Sequence, residues 1–190
     1  MHSHFTAVYD ACVLYPATLR NVLTQLATTG LFRARWTDAI HDEWINSLLR
    51  DKPDLRRDAL ERIRTLIDNA VPDCLITGHG PLIDGLTLPD PADRHVLAAA
   101  IRANAAVIVT TNLKDFPAEA LGPLGVDAQH PDEFILHLID LDEDTVCAAI
   151  RAVRARLRKP ARDASGLLDL LQSQGLAATA ARLRTMADRL

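Results

Sequence analysis

Four acidic side chains, Asp10, Glu43, Asp93 and Asp115, fall at predicted strand ends or on predicted helices around one presumed cleft, with Asp90 and Asn112 nearby in the chain. Carboxylates crowded in this way repel one another unless cations neutralise them. Their oxygen donors suit a hard divalent ion such as magnesium or manganese. Two such ions can activate water and hold the attacking and leaving oxygens of a phosphodiester, chemistry that needs acids and water but no nucleophilic side chain. Competing signatures are missing: the chain has no GxGxxG, no GxxxxGK followed by Ser or Thr, no HExxH and no GxSxG.

The remaining reactive residues read as bystanders. Cys12, Cys74 and Cys147 are odd in number and lack CxxC or Cys/His spacing, which argues against a disulfide framework or a zinc site. Ser3 and Cys12 have no evident base partner, and the charge of Asp10 disfavours a Cys12 thiolate. His2 and His4 near the start read as adventitious metal binders at most, His95 reads as packed or surface-exposed, and His41 and Asp42 read as exposed neighbours of Glu43. Asp10 on its own would be read as a turn or helix cap; its company changes that reading.

The elements that must position the acids centre on Leu86 to Phe116. Pro89 and Pro91 forbid a helix before them and Asp90 can accept hydrogen bonds from the N–H groups that open one, so a helix is predicted from about Pro91 to Asp93 onward. Val96, Leu97, Ala100 and Ile101 form its buried stripe. Ala105 to Val109 is a short apolar run of the kind that forms a strand covered on both faces. Ligand sites of open α/β sheets lie outside the carboxyl ends of the strands, which places Thr110, Thr111, Asn112 and Asp115 where chemistry is done.

Earlier in the chain, Thr6 to Tyr9 predicts a first strand that delivers Asp10 to the same edge. Leu19, Val22, Leu23 and Leu26 mark an amphipathic helix closed by Gly30, and Trp36 to Leu49 marks another that carries Glu43 and is capped by Thr37 or Asp38. Arg50 to Ala70 predicts helix broken at Pro53, and Cys74 to Thr77 a second strand. Gly125 to Ala128 is a candidate last strand, and a helix opens after His130. The alternation of strand and helix points to an α/β class, a three-layer domain with a mostly parallel sheet. From Asp142 onward the chain is rich in Ala, Leu and Arg and predicts about three helices, with breaks at Lys159-Pro160 and Gln174-Gly175. The division expected is residues 1–140 for the α/β domain and 141–190 for a helical extension.

With 190 residues, 48% hydrophobic and 24% charged, the composition is that of a folded globular chain. No apolar run approaches the ~20 residues that cross a bilayer, and the N-terminus lacks the basic start and apolar stretch of a signal peptide, so a cytoplasmic location and no membrane partner are expected. A net charge of −4 gives no global attraction for nucleic acid. Arg151, Arg154, Arg156, Arg158, Lys159 and Arg162 nevertheless crowd one segment, which reads equally as a phosphate-contacting surface or as a solvated helix whose Arg stems cover apolar surface.

The segments VYDACVLYPATLRNVL and LPDPADRHVLAAAIRANAAVIVTTNLKDFP, with the Glu43 helix between them, resemble the PIN-domain family of metal-dependent ribonucleases, in the branch of VapC-type toxins. The resemblance covers roughly Phe5 to Phe134. It implies a PIN fold and a Mg²⁺- or Mn²⁺-dependent endoribonuclease that hydrolyses RNA with metal-activated water. Asp10, Glu43 and Asp93 match the three core metal-binding acids, and Asp115 or Asn112 completes the site. Where many relatives carry Asp, this chain has Asn112, and Cys12 replaces a small hydroxyl or amide residue. Asp90 is typical of the branch as a cap or outer partner. The resemblance further implies a homodimer and a cognate antitoxin that fills the acidic cleft with a basic segment. The helical tail resembles the extension of some larger VapC-like proteins. The alternative class is a catalytically weakened PIN-like module that binds RNA or protein, with a metal-dependent phosphatase as a third reading.

Overall fold

A computed structural model describes residues 5–157 and 160–190. His2, Ser3, His4, Arg158 and Lys159 lie outside the described residues, and so does part of the break expected at Lys159-Pro160. In chain order the elements are β1 (Thr6–Tyr9), α1 (Ala11–Leu14), α2 (Ala17–Ala27), β2 (Arg33–Arg35), α3 (Asp38–Asp51), α4 (Arg57–Ala70), α5 (Arg94–Arg102), β3 (Val107–Val109), α6 (Ala118–Leu121), β4 (Asp127–Gln129), α7 (Pro131–Leu141), α8 (Glu143–Arg156), α9 (Ala164–Ser173) and α10 (Ala177–Arg184). By contact the chain groups into two units, Met1–Tyr15 with Phe32–His130 and Pro16–Leu31 with Pro131–Leu190. The expected class, a three-layer α/β/α domain around a parallel sheet with a helical extension, holds.

In the first unit the four strands run parallel in the order β2-β1-β3-β4. Every residue of β1 and β3 is buried, as the unbroken apolar runs require of strands covered on both faces. The chain leaves β1 for β2 on one side and later returns to β3 on the other, so the order reverses between β1 and β3. The register Tyr9 to Val109 brings the carboxyl ends of these two strands level at that reversal.

The helices of this unit begin and end where local chemistry allows. Thr37 caps α3 by accepting the Ile40 N–H at 3.1 Å, and the helix stops ahead of Pro53. Asp90 accepts the Ala92 N–H at 2.8 Å and Pro91 opens a single 3₁₀ turn, Pro91–Asp93, that runs into α5. The α5 residues Val96 to Ala100 are all buried.

Two expectations fail here. Cys74 to Thr77 makes only an isolated bridge, Leu75 beside Trp36, and the strand on that edge of the sheet is Arg33–Arg35. A polar three-residue edge strand with one buried side chain carries no alternation to read, while the CLIT run bonds the sheet edge only through Trp36, which donates to Cys74 and accepts from Ile76, and buries Cys74 and Ile76 but not Leu75. The last strand starts at Asp127, two residues later than expected, because Gly125 at φ +68° is spent on the turn.

The second unit is helical. Its apolar stripes are Leu19, Val22, Leu23 and Leu26 on α2, Phe134, Ile135, Leu138 and Ile139 on α7, Val146, Ile150 and Val153 on α8, Leu167, Leu168 and Leu171 on α9, and Ala180 and Leu183 on α10. The stripe of α2 packs against α8, where Arg156 also bonds Gln25. Asp142 caps α8 and Asp163 caps α9, each accepting a backbone N–H three residues on. Leu176 has no side chain able to cap α10. Asp132 of α7 does so from outside, its two carboxylate oxygens accepting the N–H groups of Ala178 at 2.9 Å and Thr179 at 2.7 Å. Residue 140, where the sequence suggests dividing the chain, lies inside α7. Among the described residues no helix is long and apolar enough to cross a membrane.

Candidate metal centre

Asp10 follows the last residue of β1 and immediately precedes α1, the position of a cap, yet its side chain makes no cap hydrogen bond. Its carboxylate turns across the sheet instead. Oδ2 accepts the Thr110 hydroxyl at 2.8 Å and the Cys12 thiol at 3.0 Å. Thr110 is fully buried and Asp10 only 3% exposed. Below them the two strand ends are locked by the Asp10 N–H donating to the Val109 carbonyl at 3.1 Å. Burial raises the Asp10 pKa, the Glu43 charge adds to the rise, and the hydrogen bonds from Cys12 and Thr110 oppose it.

Cys12 ties this edge together a second time. Its sulfur accepts the Thr111 N–H at 3.2 Å while its S–H points to Asp10, and Thr110 Oγ1 in turn accepts the Asn112 N–H at 3.0 Å. Burial, then the Asp10 charge, pushes the Cys12 thiol up to about 12, so it serves as a neutral donor.

Asp93 supplies the measure of how the other acids gather. Its pKa is raised to about 6, first by burial and then by the negative charges of Asp10, Asp90, Asp115 and Glu43. Five carboxylates, from the residue after β1, from α3, from the turn before α5 and from the turn after β3, thus share one field. Glu43 is exposed on α3 and reaches His95 of α5, Oε2 to Nε2 3.3 Å. Asp90 caps its own turn as well as contributing charge. Asn112 is exposed and joins the site by its backbone; among the described residues no hydrogen bond fixes its side chain on the acids.

Among the described residues no three His, Cys, Asp or Glu side chains are closed onto one point as an ion would need. The acids are near enough to raise the Asp93 pKa but not drawn together, the arrangement expected of like charges. Their donor set is carboxylate oxygen, and their field favours a cation, so the residues fit a hard divalent ion.

One histidine departs from the expectation, and a second gains an acidic neighbour. His41, expected to be exposed, is completely buried. Trp44 Nε1 donates to His41 Nδ1 at 3.0 Å, and His41 Nε2 lies 2.8 Å from Asp68 Oδ1, which also accepts Trp36 Nε1 at 2.8 Å. Burial lowers the His41 pKa against the opposing pull of Asp68. The i, i+3 pairing of His41 with Trp44 on one helix face was the available signal. His95, expected to be packed or surface-exposed, is half-buried and lies 3.3 Å from Glu43.

A parallel sheet with carboxylates gathered at the point where strand order reverses defines an open α/β protein whose candidate site lies at that edge. Comparison with known proteins supplies the family. The family model described as PIN domain matches residues 6–114, and the one described as VapC50 C-terminal domain matches residues 131–185. The chain belongs to the PIN-domain family. Over 82 residues it is 49% identical to a Mycobacterium tuberculosis protein named "Putative ribonuclease VapC50", a stretch covering 43% of this chain and 48% of that one. The matched stretch thus spans about half the length of that relative. No solved structure matches.

Proposed function

We propose that this protein is a metal-dependent endoribonuclease of the VapC type, the toxin of a toxin–antitoxin pair. The observation that supports the reading is the PIN-domain match over residues 6–114 together with the buried Asp10 carboxylate held by Thr110 and Cys12 at the sheet edge, with Glu43, Asp90, Asp93 and Asp115 near enough to share its field. A magnesium or manganese ion bound there would supply Lewis-acid activation of water and charge neutralisation at the scissile phosphate. Asp10, Glu43 and Asp93 would hold it, with Asp115 or Asn112 completing the set and Asp90 outside it.

The chain's own residues account for the rest of the chemistry. Thr110 and Cys12 orient Asp10 by donating to one oxygen of its carboxylate. The crowded negative charge keeps an RNA phosphate out until a cation is present, which makes cleavage conditional on metal. The same field suits a basic side chain of an antitoxin, charge-assisted on several carboxylates at once. A homodimer and a cytoplasmic setting complete the proposal.

The test is incubation of total RNA with purified protein in Mg²⁺, Mn²⁺ or EDTA, with Asp10→Ala alongside to expose any contaminating nuclease. Discrete fragments that need metal and vanish in the variant are expected. Metal-independent cleavage, or cleavage by Asp10→Ala equal to the parent's, overturns the reading. The exposed Asn112 favours one second reading, a PIN-like module that binds RNA or protein without cutting it. It predicts RNA retention without fragments and no metal-induced rise in Tm beyond that of Asp10→Ala.

A further inference from the structure

The hydrogen bonds among Trp44, His41, Asp68 and Trp36 leave no choice of direction. An indole N–H can only donate, so Trp44 fixes His41 Nδ1 as an acceptor and the imidazole proton resides on Nε2. That proton points at Asp68 Oδ1, 2.8 Å away, and Trp36 Nε1 donates to the same oxygen at the same distance. The rings are edge-on as well, Trp36 to His41 at 5.9 Å and His41 to Trp44 at 6.0 Å between centroids. Trp36, His41 and Trp44 are at most 1% exposed. Asp68 is on α4, Trp36 directly follows β2, and His41 and Trp44 are on α3.

Glu43 stands between His41 and Trp44 in the sequence, on the exposed side of α3. It is one of the acids whose charge is felt at Asp93. A fully satisfied buried hydrogen-bond network rigidifies what it joins and specifies one arrangement of it, and this network is made on the buried face of α3, through His41 and Trp44, to Asp68 of α4. An apolar group in place of Asp68 would fill the same volume without the desolvation cost of a carboxylate, so volume does not account for an acid there. One turn from Asp68 on the same face of α4, Arg64 pairs with Asp38 and Asp42 of α3, a more solvated clasp that adds to the hold.

We infer that Asp68 is a positioning residue for Glu43: through His41 and Trp44 it fixes the rotation of α3 and so the place from which the Glu43 carboxylate meets a divalent ion. This deepens the proposed nuclease reading and rests on it. Asp68 itself touches neither metal nor RNA. It ties the sheet edge at Trp36 to the helix that carries the acid.

Two variants separate positioning from bulk stability. Asp68→Asn retains an amide oxygen for both N–H donors, and Asp68→Leu keeps the branched outline but removes every side-chain acceptor. The measurements are the rise in Tm on titrating Mn²⁺ into EDTA-treated protein, the Mn²⁺ concentration giving half-maximal RNA cleavage, and the NMR signal of the protected His41 Nε2 proton. Asp68→Asn is expected to match the parent in all three. Asp68→Leu is expected to lose the Nε2 signal, to lose most of the Mn²⁺-induced rise in Tm, and to need about tenfold more Mn²⁺ for cleavage, as groups behind metal ligands typically do. If Asp68→Leu is unfolded by circular dichroism, Trp44→Phe, which removes the donor to Nδ1, replaces it with the same expectations for metal. A folded Asp68→Leu or Trp44→Phe with the parent's Mn²⁺ dependence overturns the inference and leaves the nuclease reading standing. A parent whose Tm does not respond to Mn²⁺ overturns both.

Discussion

The Thr110 hydroxyl donates a hydrogen bond to Asp10 Oδ2 across the gap between β3 and β1, at 2.8 Å and out of reach of solvent. A hundred residues apart in sequence, the two groups are brought level by the pairing of Tyr9 with Val109. The bond makes the difference between a buried carboxylate that is aimed and one that is merely trapped. Replacing Thr110 by Val keeps the shape and removes the donor. The expected result is a loss of about 1–3 kcal/mol in stability by urea unfolding, because Asp10 loses a partner while still buried, together with weakened RNA cleavage. Unchanged unfolding and cleavage would mean that the hydroxyl is incidental.

Asp93 carries a cost that ought to be measurable without any substrate. Its pKa rises from 3.8 to about 6 on folding, by burial and neighbouring charge. The folded state therefore holds this proton more tightly than the unfolded state does, and folding is penalised increasingly as pH climbs through that interval. In EDTA, Asp93→Asn is expected to melt higher than the parent at pH 7, with the gap shrinking as pH falls from 6 towards 4. A variant that melts lower than the parent at pH 7 would contradict the assignment of repulsion to this site.

The cysteines should be quiet. Burial leads the causes that push Cys12 and Cys74 up to about 12 and raise Cys147, so few thiolates exist near neutrality. Thiol titration at pH 8 with a disulfide reagent is expected to run at least about two orders of magnitude more slowly in the folded protein than in urea, where all three react. Prompt reaction of one equivalent in the folded protein would identify a thiol that is more open than its surroundings indicate.

Asp132 offers a test in the helical unit. Because its two oxygens serve Ala178 and Thr179 at the start of α10, Asp132→Ala strips two backbone N–H groups of their acceptors. A loss of about 1–2 kcal/mol is expected by chemical unfolding, with Asp132→Asn intermediate because one oxygen remains. Equal stability of all three proteins would show that water caps α10 as well.

These cases show what could be read from the chain in advance. The positions of Asp10, Asp93 and Asp115 at the ends of elements were legible because strand ends and helix starts are written locally, in β-branched runs, prolines and caps, and the helix carrying Glu43 was legible from its apolar stripe. The buried stripe of α5 and the break at Pro53 were legible for the same reason. What escaped depends on partners far along the chain. His41 was read as exposed because Asp42 and Glu43 beside it are charged, whereas its burial is decided by Asp68 and Trp36. Arg33–Arg35 has no pattern of its own and becomes a strand only because Thr6 and Val8 offer it a ladder. The cap of α10 could not be foreseen, since the capping residue belongs to another helix.

The packing of α2 against α8 has a further meaning for how such a chain is made. Leu19, Val22, Leu23 and Leu26 leave the ribosome early, but the surface that covers them is translated more than a hundred residues later. Until then the nascent chain carries a bare apolar stripe, which a chaperone must shield or which must wait collapsed and unpaired. Any shortened version ending before α8 inherits that state permanently. Solubility, rather than catalysis, would then be the first thing lost when the C-terminal helices are trimmed.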